Sequence, residues 1–142
     1  EDIMNTDIIP VGLDTTLEEV VKRFTIENLR GIPVVDKEGK FLGEITEREL
    51  IEYGMPKYTS LMNDLSFMII GEPFEEYFKN EHKVTVRQLY RKDPPIIDRG
   101  ASIMEVSFEM VTRGKTRIYV VENGKFLGII LRNYIIKKVL HI

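Results

Sequence analysis

The run Gly39-Lys40-Phe41-Leu42-Gly43-Glu44-Ile45 recurs 85 residues later as Gly124-Lys125-Phe126-Leu127-Gly128-Ile129-Ile130. Upstream of this run the spacing becomes 86: Asp7 answers to Asp93, Val20 to Val106, and Val34-Val35 to Val120-Val121. One deletion explains the change, because Asp36-Lys37-Glu38-Gly39 is shortened to Glu122-Asn123-Gly124. A register kept over about fifty residues and broken once, in a turn, marks a duplicated unit. The chain must therefore fold as one small unit used twice.

Both copies read alike. Ile8-Ile9-Pro10-Val11 is a short apolar strand, matched by Pro95-Ile96-Ile97. Thr16-Leu17-Glu18-Glu19 has the spacing of a capping box, as does Ser102-Ile103-Met104-Glu105. The helix that follows puts Leu17, Val20, Val21, Phe24 and Leu29 on one face in copy 1. In copy 2 the face is Ile103, Val106, Met110 and Val111. A strand over Gly31–Val35 or Arg117–Val121 leads through a glycine turn to a second, Phe41–Ile45 or Phe126–Ile130. A last helix closes each unit, Glu47–Tyr53 or Arg132–Leu140. A unit of this size, under about 60 residues, buries too little surface to stand alone. The expected fold is therefore α+β: two β-α-β-β-α repeats packed sheet to sheet about a pseudo-twofold axis. The repeats span 1–53 and 87–142. The connector between them, 54–86, carries Phe74, Tyr77 and Phe78 at helical spacing, which predicts a short docked helix.

Charge divides with the repeat. Residues 1–53 hold 6 Lys and Arg against 13 Asp and Glu, whereas 87–142 hold 11 against 5. The balance implies either two faces that attract each other or a cleft whose basic side receives an anion. The overall net charge of -3 argues against a nucleic-acid binder. No apolar run approaches the ~20 residues of a membrane span, and no secretory leader is visible. With no cysteine there is no disulfide or thiolate site, which is compatible with a cytoplasmic setting. His82 and His141 stand far apart without a third ligand grouped beside them, so no metal site is expected. The phosphate-loop, dinucleotide and nucleophile-elbow signatures are all missing, and no enzyme activity is expected.

Several motifs carry a resemblance. Asp2-Ile3-Met4, Val11-x-x-Asp14-Thr15-Thr16-Leu17, Gly31-Ile32-Pro33-Val34-Val35-Asp36 and Gly43-x-Ile45-Thr46-Glu47-Arg48-Glu49-Leu50 are similar to a cystathionine-β-synthase (CBS) domain. Copy 2 follows the same outline more loosely, so the chain resembles a tandem CBS pair, the Bateman module. The resemblance implies a regulatory module that binds an adenosine-containing ligand, AMP, ADP, ATP or S-adenosylmethionine, as effector rather than as a required cofactor. It also implies a homodimer and a fused or separate effector protein.

In that family a Thr and an Asp, spaced T-x-x-D at the start of the last helix, serve the phosphates and the ribose. Carried over, the first site is Thr46 and Glu49, with Arg48 and Arg30 toward phosphate. Its base platform is Pro95, Ile96, Arg117, Ile118 and Tyr119 of copy 2. The second site has Leu131 and Tyr134 at the two polar positions, beside Ile9, Ile32 and Pro33, and is expected to be weak, altered or empty. Thr46-x-x-Glu49 is equally a capping box. Arg117 serves a phosphate or an ion pair with the acidic copy, and Arg48 suits a solvated helix start. If the sites have decayed, the alternative is a structural dimerisation or docking module.

Overall fold

The first helix of copy 1 starts where a hydroxyl can satisfy a free amide. In the computed structural model, which describes residues 3–53 and 84–141, Thr16 Oγ1 accepts from the Glu19 N–H at 3.2 Å. This opens α1 (Leu17–Glu27), which ends at Asn28 in the left-handed conformation. β1 (Gly31–Val35) then pairs antiparallel with β2 (Phe41–Thr46), and helix α2 covers 47–53. In the turn between the strands, the Asp36 carboxylate accepts from the Glu38 and Lys40 amides at 2.8 and 2.9 Å.

Copy 2 repeats the plan. β3 (Ile96–Ile97) leads to α3 (Ile103–Arg113), which starts with Ser102 Oγ accepting from the Glu105 N–H at 3.1 Å. α3 ends at Gly114, again left-handed. β4 (Arg117–Glu122), β5 (Lys125–Leu131) and α4 (Arg132–Leu140) follow, with sheet order β3-β4-β5. The shorter turn joining β4 to β5 is Asn123-Gly124, both at positive φ, the tight-hairpin solution that needs fewer residues. The expected connector helix around Phe74, Tyr77 and Phe78 lies outside the described residues.

The lead segments differ for a reason visible in one residue. The Tyr119 N–H donates to the Pro95 carbonyl at 3.2 Å, which helps align β3 on β4. Its twin in copy 1 is Pro33, which has no N–H to give. There the lead segment reaches the sheet only at Val11, through a parallel bridge to Val34. The expected strand over Ile8–Val11 is thus reduced to that bridge.

Reciprocal contacts define the pseudo-twofold axis. Asn5 bridges Ile129, and its twin Arg91 bridges Glu44, so each copy's lead segment adds to the other copy's sheet. Gly43 and Gly128 make room for this exchange. A Cβ on Gly43 would collide with the Arg91 carbonyl oxygen, and one on Gly128 would lie 2.8 Å from the Asn5 carbonyl oxygen. Lys40 bridges Lys125, its own twin. Around it the Phe41 N–H donates to Gly124 at 2.7 Å and the Phe126 N–H to Gly39 at 3.3 Å. The axis passes there, beneath the rings of Phe41 and Phe126, whose centroids stand 6.4 Å apart.

Two cores result. Leu17, Val20, Phe24, Ile32, Val34 and Ile45 centre the first; Val106, Met110, Ile118, Val120 and Ile130 centre the second. A fully buried Leu or Ile in such a core contributes roughly 1.5–3 kcal/mol. The expected apolar face of α3 needs correction. Val106 and Met110 are buried, but Ile103 and Val111 are exposed. In copy 1 the counterpart of Ile103, Leu17, is covered by Val84 and Val86 from the far side of the connector. No described residue does the same for Ile103.

Candidate functional site

β2 delivers Thr46 to the start of α2, and the short helical spacing brings Glu49 back over it. The Glu49 carboxylate accepts from the Thr46 N–H at 3.1 Å and also from the Thr46 hydroxyl. The Arg48 N–H donates to Thr46 Oγ1 at 3.2 Å. Both side chains are buried. These are helix-capping bonds: they satisfy free amides at a helix start with a carboxylate that the helix dipole favours. The Arg48 side chain points to solvent and pairs with Glu52 at 2.7 Å.

Two residues before Thr46, β2 carries a carboxylate where its twin carries an alkyl group. Glu44 is only 2% exposed, between the two copies. Arg117 Nε of β4 donates to it at 3.0 Å, and the Tyr119 hydroxyl donates to the same oxygen. Burial and then the Glu44 charge push the Tyr119 hydroxyl well above the usual tyrosine range, so it stays a donor. Burial works against the charge on Arg117, but Glu44 and Tyr119 outweigh it and hold the guanidinium above the ordinary arginine value. A buried carboxylate, a buried phenol and a half-buried guanidinium thus satisfy one another across the seam.

The same guanidinium reaches a cleft on the other side. A Cβ on Gly31 would lie 2.5 Å from Arg117 Nε, so the bare glycine is what lets Arg117 lie flat there. Beside it opens a cleft of about 450 Å³, walled by Ile8 and Leu29–Gly31 of copy 1 and by Thr116, Arg117, Ile129 and Leu131–Asn133 of copy 2. That size falls within the usual ~300–1,000 Å³ of small-molecule sites. Arg30, Arg117 and Arg132 line it, and no carboxylate does. Arg132 is steadied by donating to the Lys115 carbonyl at 3.0 Å. Arg30 makes no ion pair among the described residues. Leu131, at the N-cap of α4, offers no capping side chain, and the Arg132 N–H donates instead to the Thr116 carbonyl at 3.0 Å. Apolar walls with three guanidiniums suit a ligand with a flat or apolar part and an anionic end.

The residues named from sequence separate accordingly. Arg30, Arg117 and Leu131 meet in this cleft. Ile32, Pro33, Ile118 and Tyr119 are buried. Pro95 is also buried, against β4, while Ile96 and Ile9 are exposed. Tyr134 accepts from Asn5 Nδ2 at 3.2 Å and faces a separate groove beside Lys137. Ile8, Thr116, Arg132 and Asn133 were not singled out by the sequence. Arg132 and Asn133 follow directly on Leu131, where the missing T-x-x-D pattern drew attention away from them. Glu44 had a legible signal: a lone carboxylate in an apolar strand whose twin is Ile129.

The comparisons with known proteins agree with this architecture. The family model described as CBS domain matches residues 1–55 and 86–141. The chain is 24% identical over 136 residues to the uncharacterized protein MJ1225 of Methanocaldococcus jannaschii, covering 96% of this chain and 41% of that protein. It therefore spans less than half the length of that relative. A second protein of the same organism, MJ1426, is 27% identical over 149 residues, covering 96% of this chain and 88% of its own length. Among solved structures, CBSX2 in complex with AMP is similar with a TM-score of 0.74 at 16% identity, over 99% of this chain and 94% of that one. At that identity the likeness carries the fold.

Proposed function

The chain belongs to the CBS-domain family, as a tandem pair of its repeats, and we propose that it is a regulatory module taking an adenosine-containing ligand in the cleft beside Arg117. The observation that carries this reading is the cleft lining: apolar residues of both copies with three arginines and no carboxylate. The base lies against Ile8, Leu29 and Leu131. The phosphate meets Arg30 and Arg132, with Arg117 between them. AMP, ADP and ATP fit that charge better than S-adenosylmethionine, whose sulfonium adds a positive charge to an already basic site. CBSX2, which shares the fold, is in complex with AMP. Arg117 also bonds Glu44 of the other copy, so a bound anion competes with Glu44 for it and alters the contact between copies. That supplies differential binding to two packings, which regulation requires.

A second reading is favoured by a different observation. Met104, Phe108 and Val111 of α3 and Ile136, Val139 and Leu140 of α4 are exposed apolar side chains. They suit a dimerisation or docking module, and Glu49 turned onto Thr46 leaves one site without a free carboxylate. Among the described residues no helix is long and apolar enough to cross a membrane.

Thermal-shift titration with AMP, ADP, ATP and S-adenosylmethionine separates the readings, since a ligand preferring the native state raises Tm. The nucleotides are expected to raise it, and Arg132→Ala to weaken that response. No shift with any of the four would leave the docking reading.

A further inference from the structure

The two copies part company on the outer faces of their helices. In α3, Val106 and Met110 are buried, whereas Met104 and Val111 are each 77% exposed and Phe108 is 65% exposed. These three follow one another at i, i+4 and i+7, the spacing of a single helix face. α4 packs beside α3 and adds Ile136, Val139 and Leu140, all exposed. In α1 the twins of Met104, Phe108 and Val111 are Glu18, Lys22 and Thr25. There Lys22 pairs with Glu18 at 3.3 Å, and the Thr25 hydroxyl donates to the Val21 carbonyl at 3.0 Å. The repeat fold does not require the apolar stripe, because the twin helix forms without it.

We propose that a second copy of the chain docks on this face, copy 2 against copy 2, with α1 left outside the contact. Single apolar side chains on a surface are ordinary, but six on two adjoining helices make a patch of the kind that marks an interaction site. Six side chains offering on the order of 100 Å² each approach the ~800 Å² per partner of a standard interface. The charges on the same two helices select the occupant. α3 has Glu105 and Glu109 against one basic residue, Arg113, while α4 has Arg132, Lys137 and Lys138 and no carboxylate. A twofold axis that lays α3 of one copy on α4 of the other sets acidic against basic helix at both contacts. It also sets the Phe108 stripe on Ile136, Val139 and Leu140. Such self-complementarity is what an isologous contact needs. The opposite net charges of copies 1 and 2 favour a different pairing, copy 2 on the neighbour's copy 1. That pairing presses the Phe108 stripe onto Glu18 and Lys22 and strips water from charges that apolar carbon cannot satisfy. The contact stands whether or not the arginine cleft takes a nucleotide.

Sedimentation velocity of the full chain tests this, with Phe108→Glu on the stripe and Thr25→Glu at the twin of Val111. The parent and Thr25→Glu are expected to sediment as dimers. Phe108→Glu is expected to raise the dissociation constant about a hundredfold or more. A charge exchange gives an answer that does not depend on one substitution. Glu105→Lys and Lys137→Glu are each expected to dimerise about tenfold more weakly alone and to recover when mixed, because only the mixed pair sets opposite charges at both contacts. A parent chain that stays monomeric at about 100 µM would overturn the proposal. So would a dimer that survives Phe108→Glu, or charge variants that recover nothing on mixing. Equal dissociation in Thr25→Glu and Phe108→Glu would also overturn it, because the neighbour's copy 1 would then cover the stripe.

Discussion

Where copy 1 has Gly31, Glu44 and Thr46, copy 2 has Arg117, Ile129 and Leu131. The backbones of the two copies follow one plan, so these pairs isolate what side chains alone decide. On the copy 1 side the polar groups saturate one another: Glu44 holds Arg117 and Tyr119, and Glu49 holds Thr46. On the copy 2 side, alkyl groups at 129 and 131 leave a cleft whose charged lining is arginine only. A duplicated unit can thus keep its fold while one half forms a locked joint and the other opens a cleft whose charged lining is arginine.

Removing the lock should have the largest effect. Glu44→Leu leaves Arg117 and the Tyr119 hydroxyl without their acceptor in a mostly buried place, and is expected to lower unfolding free energy by about 3 kcal/mol. Urea denaturation measures it, and an unchanged midpoint would remove the joint from the account. The twin glycines come next. Gly43→Ala meets a backbone carbonyl, while the nearest atoms to a Cβ at Gly128 include the flexible Met4 side chain. The expected losses are about 2 and about 1 kcal/mol respectively, read from the same denaturation curves. Equal losses would mean the two lead segments are held alike.

Tyr119→Phe is a finer probe, expected to lower stability by about 1 kcal/mol. Its pH dependence has a definite sign. The folded-state pKa of Tyr119 is raised, so the unfolded chain loses this proton first. Stability from this group is full below the ordinary tyrosine value of about 10 and declines as pH rises above it. Melting curves between neutral and strongly alkaline pH should show that decline in the parent chain and less of it in Tyr119→Phe. The smallest contrast is expected between the helix caps. Thr16→Ala and Ser102→Ala should each lower stability by about 1 kcal/mol, because both hydroxyls accept from the amide three residues on.

The repeat was legible because its residues recur at one spacing, and the strands and caps followed from local pattern. β1 and α4 begin and end where the periodicity places them. The exchange of lead segments was not legible, since pairing Asn5 with Ile129 is a long-range choice that no local pattern encodes. Only the repeated glycines at 43 and 128 hinted that backbone must pass close by. Ile103 and Val111 looked like core because helical spacing reports a face, whereas burial also depends on what lies against it. Of the cleft, Arg30, Arg117 and Leu131 were named from sequence. Arg132 and Asn133 were missed because the polar pattern sought at that helix start is replaced by an apolar residue and two side chains of different chemistry.

Isothermal titration of AMP into the parent chain, Glu49→Ala and Arg132→Ala tests the division between the copies most directly. The account predicts a single equivalent of AMP per chain, unchanged affinity in Glu49→Ala, and binding about tenfold weaker or more in Arg132→Ala. Binding lost in Glu49→Ala and intact in Arg132→Ala would place the receptor on the copy 1 side and contradict it.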